Sequence, residues 1–379
     1  MLEGLFWIFT LLAIYSYFVY PIALKTLVVL RGAKSVSVSD QSTPHRVSLI
    51  VTAFNEKGRI RQKIENTLKV NFDPTRLELI VASDCSDDGT DEIVLEFEDR
   101  GVHLVRANER LGKENAQLAA IRQASGDLLV FSDVATEIPA DALEKLVRYF
   151  DDPLIGAVSS EDRFIAQDGS VAGEGAYVKY EMWLRQLESG LAGLVGLSGS
   201  FFAARKSICE DWDIYSPSDF NTALNTARSG LRAVSAPDVL GYYQDLKDPS
   251  KEYARKIRTV IRGMTGLSRH REVLNPKQFG LFAFQVFSHK LMRWLTPWLL
   301  IVLFVLNAMV AHIGAVYAGL FVFQSIFYGT ALAAHFLPRL REHLAIKIIY
   351  FFVQVNVALL DAAVKFLFGE RMTTWKPSA

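Results

Sequence analysis

The sequence predicts an α/β domain with a doubly wound sheet, flanked on both sides by membrane-spanning helices. Between residues 46 and 150, short apolar segments alternate with segments of helical periodicity, as in a parallel sheet that is covered by helices. Uncharged stretches long enough to cross a bilayer lie near both ends of the chain. We therefore predict a membrane protein that carries one sizeable globular domain.

The composition supports a membrane protein and excludes several other classes. Of the 379 residues, 50% are hydrophobic and only 22% are charged, and the mean hydropathy is +0.19. The 41 basic and 41 acidic residues cancel, which argues against a nucleic-acid-binding protein because phosphate binding needs a basic excess. Two cysteines exclude a disulfide framework and a four-cysteine metal site. The 12% aromatic content excludes a disordered chain.

The first 30 residues are predicted to form an amino-terminal transmembrane anchor. Leu5–Leu24 contains no charged residue and is long enough to span the bilayer as a helix. No basic residue precedes this stretch and no small-residue cleavage site follows it, so a retained anchor is favoured over a signal peptide. Lys25, Arg31 and Lys34 follow the stretch and are expected to stay in the cytoplasm. The globular domain should then lie on the cytoplasmic face of a bacterial-type inner or plasma membrane.

Residues 293–370 are predicted to contain the carboxy-terminal transmembrane helices. Leu295–Ala311 and Ile313–Ala334 are uncharged, and basic residues flank the pair on its two outer sides. A last segment, Ile348–Leu360, has only thirteen uncharged residues, which is short for a span. It could be interfacial or packed against its neighbours, so the topology after Arg341 stays open.

The interior of the chain is predicted to contain a Ser-rich linker at 31–45, a globular domain at 46–248 and amphipathic interfacial helices at 249–292. The strands are expected at Val47–Ala53, Leu77–Ala82, Val102–Val105 and Asp127–Phe131. The helices are expected at Lys57–Val70, Glu92–Glu98, Gly112–Ala124, Asp141–Phe150, Glu174–Leu191 and Asn221–Arg228.

Polar pairs follow three of the predicted strands. Asn55-Glu56 follows the first strand, Ser83-Asp84 the second and Ser132-Asp133 the fourth. Ligands of doubly wound sheets bind at the carboxyl ends of strands, so we expect these pairs to converge. The sequence has no glycine-rich phosphate loop of the Walker or dinucleotide type. Carboxylates, a metal or basic side chains such as Lys113 would then have to bind a phosphate.

Four segments carry a resemblance to a known family: VSLIVTAFNE (47–56), SDCSDDGT (83–90), ERLGKENAQLAAIRQASGDLLVFSD (109–133) and LSGSFFAARK (197–206). They resemble segments of the family 2 glycosyltransferases, and their order and spacing make the resemblance specific. The resemblance spans Arg46 to Arg262 and extends to the membrane layout, with one anchor before the domain and several helices after it. It implies a GT-A fold and an inverting transfer that uses a nucleotide-activated sugar, usually a UDP-sugar, with a divalent metal.

Carried over by position, the resemblance implies a donor site. Ala53, Asn55 and Glu56 would line the nucleoside pocket, Asp84 would bind the base, Lys113 would lie near the nucleotide, and Asp133 would be the first Asp of the DxD motif that binds Mg²⁺ or Mn²⁺. Ala135 stands where a second acidic residue or Asn is expected. Metal binding through Asp133 would therefore need help from the diphosphate. Cys85 replaces a common Gly or Asp and is interpreted as a small buried residue.

The resemblance also implies a catalytic base and an acceptor side. Asp219 takes the position of the carboxylate that removes the proton of the acceptor hydroxyl. The alternative is a helix-start carboxylate that stabilises its helix by about 1 kcal/mol, and both roles are compatible. Gly199 and Ser200 resemble the loop that faces the acceptor. Tyr180 and Trp183 are interpreted mainly as core residues, with sugar stacking or anchoring at an interface as the alternatives.

A basic ridge is predicted on one helix face near the end of the resemblance. Its members are Lys251, Arg255, Arg258, Arg262 and Arg269. The sequence RKIRT (255–259) resembles the family motif Q-x-x-R-W, with Arg in place of Gln and Thr in place of Trp. Arg258 and Arg255 would then neutralise the departing diphosphate. The alternative is a helix that lies on anionic lipid headgroups.

The function predicted from these features is an inverting membrane glycosyltransferase of glycolipid or exopolysaccharide biosynthesis. It would move one sugar from a UDP-sugar to a lipid-linked or other membrane-proximal saccharide acceptor, with the lipid bilayer and no nucleic acid among its partners. A processive synthase of the cellulose or hyaluronan type is the alternative, and the missing Trp at Thr259 counts against it. An alternative of another class is an inactive nucleotide-binding scaffold, which the incomplete DxD motif favours.

Overall fold

The computed structural model describes residues 1–32, 44–165, 176–244, 249–372 and 374. The chain divides into two compact units. The first, called the helical unit here, contains Met1–Thr26, Tyr253–Ile261 and Val286–Glu370. The second, called the sheet unit, is built mainly from Leu27–Glu252 and Arg262–Gln285.

The secondary structure alternates through the sheet unit and is helical elsewhere. The strands are β1 (Val47–Ala53), β2 (Leu77–Ser83), β3 (Val102–Arg106), β4 (Leu128–Asp133), β5 (Ile155–Ile165), β6 (Phe201–Arg205) and β7 (Arg232–Gln244). The helices are α1 (Leu2–Ile14), α2 (Tyr20–Arg31), α3 (Ile60–Thr67), α4 (Thr90–Leu95), α5 (Lys113–Gln123), α6 (Ala142–Arg148), α7 (Ala176–Leu191), α8 (Ser218–Arg228), α9 (Pro249–Arg269), α10 (Pro276–Val286), α11 (Met292–Val310), α12 (Ala315–Phe336) and α13 (Leu344–Leu367). Each strand and helix predicted in the globular domain is present, with ends shifted by a few residues.

The strands of the described residues form one seven-stranded sheet in the order β3-β2-β1-β4-β6-β5-β7. The first four strands run parallel, and Ala53 pairs with Ser83 while Thr52 pairs with Asp133. β6 is antiparallel to both of its neighbours, β4 and β5. The carboxyl ends of β1, β2 and β4 therefore lie at one edge, and the beginning of β6 lies at that same edge.

Apolar side chains on both faces of the sheet explain why the strands are continuous hydrophobic runs. Along β1, Leu49 and Val51 pack into one core while Ile50 packs into the other. On the second face, the Phe131 ring of β4 stacks on Phe202 of β6, with 4.9 Å between the ring centroids. Helices cover both faces, so alternation of polar and apolar residues is not needed.

A close backbone contact before β4 gives a stability prediction. A Cβ atom on Gly126 would lie 2.5 Å from the backbone nitrogen of Ser48 in β1. We therefore expect Gly126→Ala to destabilise the domain by about 1–3 kcal/mol, because a buried backbone has to shift. Gly58→Ala is the control, since its Cβ would meet no atom within 4 Å. Thermal unfolding of the two variants tests this, and equal midpoints would contradict it.

Four helical segments of the described chain are long and apolar enough to cross a membrane. They are Leu2–Arg31, Pro276–Val310, Ala315–Phe336 and Leu344–Leu367. The first contains the predicted span Leu5–Leu24. The second and third match the spans predicted at Leu295–Ala311 and Ile313–Ala334, with carboxy-terminal ends that differ by one or two residues. The second segment also includes residues 276–292, which were predicted to be interfacial. Within that second segment, Gly280 departs from helical geometry (φ 52°, ψ −123°).

The last segment corrects the length predicted for residues 348–360. α13 has 24 residues and continues past the charges that were taken as its limits. Lys365 Nζ lies 3.1 Å from Asp361 Oδ2, one helical turn away, and the Tyr253 hydroxyl lies 3.4 Å from the same oxygen. Because opposite charges pair along the helix, they interrupt the uncharged run without ending the helix.

Candidate active site

The predicted polar pairs lie at the shared edge of β1, β2 and β4. The Asp84 N–H donates to the Ala53 carbonyl across 2.9 Å, which ties the loop after β2 to the end of β1. Asp133 ends β4, whose register places it beside Thr52. The convergence predicted from the strand pattern is therefore present in the sheet unit.

Asn55 and Cys85 shape the two loops at this edge. Both residues have positive φ, 53° for Asn55 and 60° for Cys85. The Asn55 side chain donates to Asp87 Oδ1 across 2.7 Å and accepts from the Asp87 N–H across 3.0 Å. Cys85 is only half-buried, so its interpretation as a buried residue was wrong. Its left-handed backbone gives a physical reason why a Gly is common at this position.

Two of the predicted donor-binding carboxylates are almost completely buried. Glu56 is 4% exposed and Asp84 is 1% exposed. Burial raises the pKa of both, an effect that Arg59 opposes at Glu56 and the Gly112 N–H opposes at Asp84. Asp84 Oδ1 accepts that N–H at 3.1 Å, whereas Oδ2 is buried without a partner in the described part of the chain. Asp84 therefore retains acceptor capacity.

Lys113 joins two parts of the candidate site. Its Nζ lies 2.5 Å from Asp133 Oδ1 and donates to the Gly199 carbonyl across 3.0 Å. Burial favours the neutral amine, but the charge and hydrogen bond of Asp133, together with the charges of Glu114 and Asp219, outweigh burial and raise the pKa of Lys113. The side chain of Asp133 remains 41% exposed, so this carboxylate is open to a ligand.

Asp219 approaches the same loop from the start of α8. A Cβ atom on Gly199 would lie 3.5 Å from Asp219 Oδ2, and the Leu197 N–H donates to the Asp219 carbonyl across 3.3 Å. The Asp133 N–H donates to the Ser200 carbonyl across 3.0 Å. Gly199 and Ser200 therefore lie between the two carboxylates that were predicted to bind metal and to act as base.

The sequence did not single out two residues that hold these loops, the buried Lys63 and the half-buried Asp162. Lys63 Nζ donates to Ser132 Oγ at 2.7 Å and to the Thr136 carbonyl at 2.5 Å, on either side of Asp133. Burial lowers the pKa of Lys63 to about 7, although Asp133 and Glu137 partly oppose this. Asp162 accepts from the hydroxyls of Ser198 (2.6 Å) and Ser200, and burial raises its pKa.

The basic ridge on α9 separates into residues with different partners. Arg262 pairs with Glu114 at 2.5 Å, and Arg269 pairs with Asp213 at 2.5 Å. Arg255 and Arg258 belong to the helical unit, so their donor-binding role stays a prediction, and the Lys251 side chain lies outside the described residues. The sequence placed Arg262 in the ridge without giving it a role of its own.

The aromatic residues of α7 are exposed and do not form the predicted core contact. Trp183 is 38% exposed and Tyr177 is 42% exposed. The ring of Tyr180 lies between them, with centroids 6.1 Å from Trp183 and 6.4 Å from Tyr177. Core packing was the main role predicted for Tyr180 and Trp183, but these aromatic rings remain partly accessible to solvent.

The comparison with family models identifies the domain that carries this site. Residues 48–212 match the model of glycosyl transferase family 2. Residues 48–212 therefore form a domain that is similar to the glycosyl transferases of family 2. The matched residues run from the second residue of β1 to the loop before α8, so this glycosyltransferase domain includes Asp84, Lys113, Asp133 and Gly199.

Curated relatives of the glycosyltransferase domain act in polysaccharide and glycolipid synthesis. The chain is 28% identical over 183 residues to a poly-β-1,6-N-acetyl-D-glucosamine synthase of Staphylococcus epidermidis, across 46% of this chain and 44% of that protein. It is 27% identical over 171 residues to a β-monoglucosyldiacylglycerol synthase of Synechocystis, across 43% and 36% of the two chains. The chain thus spans less than half the length of these relatives.

A solved structure shares the fold of this chain. A mannosyltransferase from Pyrobaculum calidifontis, solved with GDP-Man and Mn²⁺, aligns with a TM-score of 0.74. The alignment covers 98% of this chain and 100% of that one at 23% sequence identity. The predicted GT-A fold is therefore confirmed.

Proposed function

We propose that the chain is an inverting membrane glycosyltransferase that moves one sugar from a UDP-sugar to a lipid-linked or membrane-proximal acceptor. The proposal rests on one observation: the charged side chains of Asp133, Lys113 and Asp219 lie close together around Gly199. One carboxylate near a cation and a second carboxylate on the other side of a glycine loop suit donor binding and proton removal, respectively. The four apolar helices support an acceptor at the membrane.

Asp133 and Lys113 are assigned to the donor diphosphate. Asp133 Oδ1 contacts Lys113, and Oδ2 has no hydrogen-bond partner within the described residues, so one carboxylate oxygen fits a hard cation. Mg²⁺ and Mn²⁺ accept one or two carboxylates together with waters and phosphate oxygens, which suits a DxD motif with Ala135 at its end. When bound, such an ion would offset the negative charge of the diphosphate. Lys113 adds a second positive charge at the same edge.

Asp219 is assigned as the general base. Its side chain is half-buried and its carboxylate lies against Gly199, where the absent side chain leaves room for a sugar hydroxyl. A carboxylate at this position accepts the proton of that hydroxyl as the hydroxyl oxygen attacks the anomeric carbon. The hydrogen bond between Leu197 and the Asp219 carbonyl fixes the backbone of the base beside the acceptor loop.

The charge pattern near the first apolar segment and the name of one relative support the proposed orientation and acceptor class. Basic residues after the first apolar segment favour a cytoplasmic domain, because such residues are retained on that side. One relative is named as a synthase of a glycosyl-diacylglycerol, which supports a lipid acceptor. The similarity to a polysaccharide synthase favours processive synthesis as the second candidate, and Thr259 at the motif's Trp position counts against it.

A donor panel tests the proposal. The full chain in liposomes is incubated with Mg²⁺ or Mn²⁺ and with each of several UDP-sugars or GDP-mannose, and nucleotide release is measured. We expect release from one UDP-sugar and a product longer by a single sugar. A product with many added sugars would support the processive synthase. No release from any donor, while nucleotide still binds, would support the inactive scaffold.

A further inference from the structure

A buried carboxylate beside Lys113 connects three helices of the sheet unit. Glu114 is 1% exposed and lies in the first turn of α5. Its Oε1 accepts the Ser218 N–H at 3.2 Å and lies 2.5 Å from Arg262 Nη2. The Trp212 indole N–H donates to the Glu114 carbonyl across 3.0 Å. One side chain thus joins α5 to the starts of two structural elements, α8 and the sheet-unit part of α9.

The contact with Ser218 replaces a missing helix cap. The first N–H groups of a helix have no partner within it and are usually capped by a preceding Ser, Thr, Asp or Asn. Before α8 this position is occupied by Pro217, which makes no side-chain cap. Glu114 supplies the acceptor from another helix, and the next residue along α8 is Asp219. The backbone that presents the proposed base is therefore held by Glu114.

The pairing with Arg262 is incomplete on both sides. The Arg262 side chain is 13% exposed, and its Nε is buried without a partner in the described residues, as is Glu114 Oε2. Burial disfavours the cation, but the charge and hydrogen bond of Glu114, together with smaller contributions from Asp219 and Asp133, outweigh burial and raise the pKa of Arg262. A buried ion pair with unmet hydrogen bonds contributes little to stability. Buried polar groups with unmet hydrogen bonds are typical of functional sites, where local stability is lower than it could be.

We propose that Glu114 is a positioning residue of the transfer reaction. Through Ser218 it fixes the start of the helix that carries Asp219, and through Arg262 it holds a positive charge within electrostatic reach of Asp219 and Asp133. This inference rests on the proposed function, because it takes Asp219 as the base. It assigns Glu114 a role in turnover that an ion pair of purely structural importance would not have.

The test compares Glu114→Gln, Arg262→Gln and the double variant in the full chain. Glutamine keeps an oxygen for the Ser218 N–H but removes the charge that holds Arg262. We expect each single variant to lower kcat per folded protein by about 10- to 100-fold, as small misplacements of reacting groups do. The double variant should be no slower than the slower single variant, because the two residues act as one unit. Glu109→Gln, an exposed carboxylate before α5, should match the wild type.

Hydrogen exchange provides a measurement that does not depend on turnover. Glu114→Ala removes the oxygen that accepts the Ser218 N–H, so the Ser218 amide and the first turn of α8 should exchange faster in Glu114→Ala than in Glu109→Ala. Unchanged exchange would overturn the positioning role, whether or not the wild type transfers sugar from any of the donors tested. Failure of the proposed function would be evident from a wild type that is inactive with every donor. Turnover of Glu114→Gln within twofold of the wild type, or losses that multiply in the double variant, would also overturn it.

Discussion

Asp219→Asn should abolish sugar transfer while leaving nucleotide binding within about twofold of the wild type. The amide has nearly the same shape as the carboxylate, but it cannot accept the proton of the acceptor hydroxyl. Loss of a general base lowers turnover by about 10²- to 10⁴-fold. Nucleotide release with the active donor measures turnover, and calorimetric titration with the nucleoside diphosphate measures binding.

The matched control for this variant is Asp211→Asn. The Asp211 side chain is 73% exposed and contacts Arg228 at the far end of α8. The same chemical change should therefore leave turnover unaltered there. Turnover retained in Asp219→Asn would remove this residue from the mechanism, and an equal loss in both variants would indicate a general effect of lost charge on α8.

Asp133→Ala should weaken metal-dependent nucleotide binding by about 10- to 100-fold. The variant removes the oxygen proposed to contact the cation and also the partner of Lys113, which lies 2.5 Å away. The approximate size is that found when a metal site loses part of its support. Titrations with UDP in the presence of Mg²⁺ or Mn²⁺, repeated after addition of EDTA, measure the effect.

The metal dependence separates two roles of Asp133. If it binds the cation, EDTA should weaken binding to the wild type and have little further effect on Asp133→Ala. Asp141→Ala is the control, because that carboxylate is exposed and pairs only with Lys145 at 2.6 Å in the described structure. Nucleotide affinity that is indifferent to both EDTA and the Asp133 substitution would show that the proposed cation site is wrong.

The local pattern of apolar and polar residues predicted most of the four parallel strands β3, β2, β1 and β4. The apolar run of β1 has the same limits in the sequence prediction and in the structure, because every one of its side chains is buried. The polar pairs after β1, β2 and β4 could be placed at one edge because parallel strands bring their carboxyl ends together. The helix α13 was misjudged, since the charges of Asp361 and Lys365 were counted singly although they pair.

The position of the acceptor-side residues Gly199 and Ser200 depends on the antiparallel strand β6. β6 has the composition of any buried strand, and nothing in its sequence specifies its direction relative to β4. Its antiparallel pairing places Phe201 beside Ser132 and so brings Gly199 and Ser200 to Asp133 and Lys113. The resemblance to the family indicated that Gly199, Ser200, Lys113 and Asp133 belong to one site, but it did not predict the contacts between them.

The sequence by itself determined the α/β class, the apolar segments at both ends and the identity of the carboxylates at the sheet edge. These properties follow from periodicity, strand composition and motif spacing, which are local. The tertiary structure alone decided that Lys113 reaches Gly199, 86 residues away, and that Glu114 accepts the N–H of Ser218, 104 residues away, at the start of the helix that carries Asp219. The periodicity of a sequence indicates whether a side chain is buried. The partner of a buried charge depends instead on how helices and strands that are distant in the sequence pack together.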